Sequence, residues 1–139
     1  MKIIYTLILL LLVQLTYSQA DSITKSNVYI LRATGFLGSA RQFKVFVDRN
    51  FSCKIKNDKY LVLEVSPGKH SFAVQIGGKK LKERAETIEI LAESGKNYYL
   101  SSVLLETGPM GNVAAHLDEL SENGGQAKIM KLKRVMCDK

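Results

Sequence analysis

From Val28 onward the chain alternates apolar and polar residues with a period of two, the mark of strands that bury one face. Residues 28–32 open the series. Phe43, Val45 and Val47 alternate with Lys44, Phe46 and Asp48, and Asp48-Arg49-Asn50 turns the chain into a partner strand at 51–55. A second polar turn at 56–59 leads to Leu61, Leu63 and Val65, and Ser66-Pro67-Gly68-Lys69 reads as a tight reversal. Proline presets φ there and glycine tolerates the positive φ that follows. Phe72, Val74 and Ile76 continue the alternation, Gly77-Gly78 reads as a hairpin closure, and 79–86 as a charged protrusion. Strands follow at 87–91 and 98–106, split by Ser94-Gly95-Lys96-Asn97.

Residues 113–120 fit either a strand or an irregular return. Beyond Gly124 the period changes. Ile129, Leu132 and Met136 fit one helical face, so the spacing predicts a short amphipathic helix over 125–136, with strand as the alternative. Seven or eight short strands spaced by turns predict a mainly β fold, an antiparallel sandwich that is immunoglobulin-like or open and barrel-like. The terminal helix would cover a face or an edge, where unpaired strands invite unwanted pairing.

The first residues do not belong to this pattern. Lys2 precedes an apolar run over 3–15, and Thr16, Ser18 and Ala20 supply small residues for cleavage. A signal peptide at 1–20 is expected, with a single β domain at 21–139. The run falls short of the ~20 apolar residues that span a bilayer, so an uncleaved anchor is the weaker reading. The leader has no cysteine for lipid attachment, and no later stretch is long enough to cross a membrane.

The 139 residues carry 20 Lys and Arg against 13 Asp and Glu, a net charge of +7. Lys79, Lys80, Lys82 and Arg84 form one cluster, and Lys128, Lys131, Lys133 and Arg134 another. A basic surface suits anionic partners, or simply keeps a domain soluble. In an exported chain the partner would be a protein or an anionic envelope component. Nucleic acid is excluded by compartment and by the lack of a binding motif. Cys53 and Cys137 are a possible disulfide, which would close a loop worth roughly 4 kcal/mol in the chain-entropy model. Cys53 as a buried thiol is the alternative.

Little points to catalysis. His70 reads as an exposed strand-end residue, and His116 near Asp118 and Glu119 matches no metal-ligand spacing. There is no Gly-x-Ser-x-Gly elbow, and Gly77-Gly78-Lys79-Lys80 lacks phosphate-loop spacing. No enzyme activity, cofactor or metal is expected. Phe36, in the glycine-containing segment 34–41, reads first as a plug for the sandwich end and second as a recognition residue. The segments 34–41, 79–84 and 107–112 are the candidate interaction surfaces, with Phe36, Lys79, Lys80, Lys82 and Arg84 as their named residues.

The stretch 27–31, the hairpin 43–55, Val65-Ser-Pro-Gly-Lys-His70 and Ser94-Gly-Lys-Asn-Tyr-Tyr99 together resemble the domain-of-unknown-function 2846 family, over roughly 26–134. The Ser-Pro-Gly-Lys-His turn is also similar to PEGA-type surface modules. The resemblance implies an envelope-associated β domain with no assigned activity and no catalytic residues to carry over. Many family members are lipoproteins, a feature this leader does not share. The expected role is an exported, non-catalytic binding or structural module, periplasmic or secreted; a carrier of a small apolar ligand, lined by Phe72, Val74 and Leu100, and an uncharacterised hydrolase-like enzyme are the alternatives.

Overall fold

The computed structural model describes residues 24–36, 38–108 and 112–137. The expected signal peptide lies outside them. The elements follow in the order β1 (Ser26–Arg32), β2 (Phe43–Val47), β3 (Asn50–Ile55), β4 (Lys59–Val65), β5 (Gly68–Ile76), β6 (Ile88–Ala92), β7 (Asn97–Glu106), β8 (Val113–Leu120), α1 (Glu122–Ile129) and β9 (Lys133–Arg134). They build a five-stranded sheet, β8-β7-β1-β4-β9, and a four-stranded sheet, β3-β2-β5-β6. The fold is a mainly β sandwich with one short C-terminal helix, as the alternation predicts, and it does not close into a barrel.

The period-two pattern explains the core. Val28, Ile30, Leu61, Val65 and Leu100 of the larger sheet meet Phe43, Val45, Cys53, Ile55, Phe72, Val74 and Ile90 of the smaller one in one buried cluster. Burial of each large apolar side chain contributes about 1.5–3 kcal/mol before entropy is counted. Phe72, Val74 and Leu100, the expected lining of an apolar-ligand cavity, are instead packed in this cluster.

Sheet membership departs from the simple meander. The polar turns at 56–58, 66–67 and 93–96 do not join neighbouring strands; each carries the chain from one sheet to the other. Crossing back and forth lets β1 pair in parallel with β7, and β9 in parallel with β4, so the sandwich is not purely antiparallel. Parallel neighbours need long connections, and the intervening strands of the opposite sheet supply one.

The β5–β6 connection is not a tight closure at Gly77-Gly78. Residues 77–87 fold back on the outer face of the smaller sheet. Leu81 buries itself against Phe46 and Ala73, with Ala85 beside them, in a second small cluster. This explains why Phe46, at a nominally polar position, is buried.

The helix is placed by topology. The chain leaves β8 at one edge of the larger sheet and returns as β9 at the other, so α1 crosses the outer face between them. Beneath it Tyr99 is only 4 % exposed, and Tyr29 stacks on Tyr99 with ring centroids 4.8 Å apart. Gly125 sits on the Tyr99 ring so closely that a Cβ there would come within 2.5 Å of Tyr99 Cβ. The helix spans 122–129 rather than 125–136. Ser121 starts it early by accepting the Gly124 N–H as an N-cap. β9 ends the helical run, with Lys133 N–H donating to the Asp58 carbonyl and Val135 N–H to that of Tyr60. The expected apolar stripe therefore does not exist, and Met130 and Met136 are exposed.

Beyond β9 the chain reaches Cys53, and Cys53 and Cys137 are paired as a disulfide with Cα atoms 5.3 Å apart and a sequence separation of 84. The pair joins the β9 edge of one sheet to the β3 edge of the other. Gly125→Ala is expected to lower unfolding stability by about 1–3 kcal/mol through overpacking on Tyr99, read as a lower urea midpoint. Cys137→Ser is expected to cost up to roughly 4 kcal/mol by releasing the long loop in the unfolded chain, with the wild type matching it only under reducing conditions.

Candidate functional site

Strand register puts one set of loops at one end. β1 finishes at Arg32 opposite Lys59, the first residue of β4, and runs parallel to β7, whose far end meets the start of β8. In the other sheet, Phe43 at the start of β2 pairs with Ile55 and Ile76 at the ends of β3 and β5. Arg32 stacks on the Phe43 ring at 3.6 Å and ties the two sets of strand ends together. The segments 33–42, 77–87 and 107–112 therefore share this end.

Each loop is held by specific bonds. The Arg32 side chain is fully buried and donates from Nη1 to the Ile55 carbonyl at 2.7 Å and from Nη2 to the Gly38 carbonyl at 2.8 Å. Its Nε has no partner among the described residues. Burial lowers its pKa to about 10, against the opposing pull of Asp58, so it stays charged at neutral pH. Asn57 Oδ1 accepts from Thr34 N–H at 2.9 Å, and its amide nitrogen donates to the Gly35 carbonyl at 3.1 Å. The loop is pinned at its base while Phe36 at its tip is 94 % exposed. The plug reading of Phe36 is thus corrected: Arg32 and Phe43 already fill the sandwich end, and the phenyl ring has nowhere to enter.

Gln75 organises the second loop. It points outward from β5, donates to the Gly77 and Lys80 carbonyls at 2.9 and 3.1 Å, and accepts from Lys82 N–H at 2.9 Å. Lys44 Nζ donates to the Gly78 carbonyl. Because β6 pairs only with residues 68–72 of β5, the stretch 73–76 has no paired strand on that side, and β8 packs near it instead. The gap between it, the folded-back loop and the β7–β8 hairpin is a cleft of about 540 Å³.

Arg41, Lys82 and Arg84 supply cations to its lining, Ile76, Leu105 and Val113 supply apolar surface, and Thr107 and Asn112 supply polar groups. Glu86 is the carboxylate of the lining, and it bonds His116 Nδ1 at 2.6 Å while His116 Nε2 faces Asp118 at 3.1 Å. The cleft suits an anionic group attached to an apolar one. It draws on all three loops singled out from the sequence. Of the named residues, Lys82 and Arg84 line it; Lys79 and Lys80 are exposed next to it in the same loop. Arg41, Gln75 and the His116–Glu86 pair carry no sequence signal, because their partners are distant in the chain.

The other constellations are structural. Among the described residues no group of three His, Cys, Asp or Glu is arranged for a metal ion. His70 is not a free strand-end residue: its Nδ1 lies 2.7 Å from Asp48 Oδ2, and Ser66 Oγ lies 3.4 Å from its Nε2. This looks like a nucleophile–base–acid chain, but Nε2 is closer, at 2.9 Å, to the Ser66 carbonyl. A ring facing a carboxylate and a carbonyl is best satisfied as the cation, donating from both nitrogens, and in that form it has no lone pair to take a hydroxyl proton. The Asp48 hydrogen bond raises the His70 pKa, against desolvation and with help from the Ser66 carbonyl. Burial pushes the Asp48 carboxyl up, but the Ser71 N–H and the His70 bond and charge together leave it below its ordinary value. Cys53 is committed to its disulfide and does not meet either histidine.

A family model for proteins of unknown function, DUF2846, matches residues 22–114. The chain belongs to the DUF2846 family. The matched span covers β1 to β7 and all three loops of the cleft, whereas α1, β9 and Cys137 follow it. No curated protein and no solved structure matches this DUF2846 chain.

The His70–Asp48 pair makes a signed pH prediction. The raised His70 value stabilises fully below its ordinary 6.5 and is lost as pH rises through the folded value; the lowered Asp48 value stabilises above its ordinary 3.8 and is lost as pH falls. Wild type is expected to exceed Asp48→Asn most in the window between 3.8 and 6.5. Asn accepts the positive φ of 49° at this position. Exposure of Asp48 keeps the difference below about 1 kcal/mol, measured as melting temperature against pH.

Proposed function

We propose that the protein is an exported, non-catalytic binding module of the bacterial envelope or secreted space, and that its loop end receives an anionic partner. The observation that carries the reading is the convergence of the three loops on one cleft with Arg41, Lys82 and Arg84 in its wall. Loops fixed on a rigid sandwich are where recognition is usually built, and Arg32, Asn57 and Gln75 fix these ones. The apolar run at 3–15 supports export. Absence of a helix long and apolar enough to cross a membrane, among the described residues, fits a domain that works outside the hydrocarbon layer.

Two measurements test this. The chain recovered from the envelope or medium of an expressing bacterium is expected to begin near residue 19 or 21 by intact mass; a chain retaining residues 1–15 removes the cleavage reading. Reversing Lys79, Lys80 and Lys82 to Glu is expected to weaken association with envelope extracts at low salt by more than tenfold in pull-down, and added salt is expected to do the same to the wild type. Unchanged recovery of the triple variant excludes this surface.

A further inference from the structure

The charge of the domain is sorted along its length. At the loop end Arg41, Lys56, Lys79, Lys80, Lys82 and Arg84 are all exposed. Lys133 and Arg134 of β9 lie exposed beside the start of β4 at the same end. None of these cations has an ion-pair partner among the described residues, although Asp58, Glu83 and Glu106 lie at this end and Glu86 is engaged by His116. The ion pairs gather toward the other end: Lys25–Glu64, Lys69–Glu89, Lys96–Glu93 and His70–Asp48. The loop end is thus a face whose exposed cations carry no ion pair among the described residues.

Set into that cationic face are exposed apolar side chains. Phe36 is 94 % exposed, Leu105 43 % and Val113 40 %. Phe36 is not left over from poor packing, since the loop beneath it is held by Arg32 and Asn57. Gly38 also lies against Leu104, which a Cβ would approach to 2.8 Å, so the Phe36 loop rests on the β7 strand that carries Leu105.

We propose that this end docks on the surface of an anionic lipid bilayer, with Phe36 entering the headgroup boundary and the surrounding cations meeting lipid phosphates. The inference rests on the anion-binding reading above and names its source. Charge alone would suit any polyanion. The phenyl ring favours a bilayer: an exposed aromatic tip flanked by Lys and Arg is the combination that an anionic lipid interface accepts. The cleft, with its cations beside Ile76, Leu105 and Val113, then has the character to take a lipid headgroup together with the first part of its chain.

The test uses the exported chain, sedimented with vesicles of phosphatidylcholine alone or mixed with phosphatidylglycerol, alongside retention on immobilised heparin as a purely polyanionic surface. Binding is expected only to the phosphatidylglycerol vesicles and is expected to fall with salt. Lys79→Glu and Lys80→Glu are each expected to lower it about fivefold or more. Phe36→Ser is expected to lower vesicle binding about tenfold while leaving heparin retention and the melting temperature unchanged, since the ring touches no core residue. Retention on heparin with no binding of the wild type to either vesicle overturns the bilayer inference and leaves the anion-binding reading standing. Equal vesicle binding by wild type and Phe36→Ser overturns it as well. Loss of both heparin retention and vesicle binding removes the two readings together.

Discussion

The guanidinium of Arg32 lies where three parts of the molecule meet: the last turn of the pleat in β1, the Phe43 ring at the head of β2, and the backbone of the loop between them. A full positive charge inside a sandwich is costly to hide, and the fold offsets that cost with two carbonyls and an aromatic face. The same contacts fix where the loop leaves the core. Once Gly38 is held by Arg32, Phe36 must project and Arg41 must return toward the cleft. The shape of the loop end therefore follows from a core residue rather than from the loop's own sequence.

A second constraint is coverage. Each sheet has an outer face that water would otherwise reach, and each is covered by a different device. The larger sheet uses a short helix that rests on Tyr99 through a glycine. The smaller uses a returning loop whose Leu81 covers Phe46 and Ala73. The second device also makes the cleft, because the loop that covers the outer face leaves the unpaired half of β5 open on its other side. The cleft is thus a by-product of a short β6.

What the sequence made legible were features with local causes. Alternation marked the strands, since inward Val28, Ile30, Phe72 and Val74 obey a rule that needs only neighbours two residues away. The candidate loops were legible from glycine and charge. Sheet membership was not, because a four-residue polar turn reads the same whether it joins two neighbouring strands or two layers. The helix was misplaced by three residues at its start because Gly124 and Gly125 are poor helix formers, and tertiary contact with Tyr99 outweighs propensity. Phe36 was read as a plug because an isolated aromatic in a loop carries no sign of which way it faces. Gln75, Glu86 and His116 gave no signal, each being defined by a partner from another element.

The long-range disulfide has a consequence for the end of the chain. Cys137 is carried to Cys53 by a tail that passes over the Tyr99 ring and lays residues 133–134 alongside β4. Its sulfur is brought into range by the assembled sandwich and by little else across a sequence separation of 84. The bond is therefore a latch on the tail, fastening the segment that follows β9 to the rim of the opposite sheet.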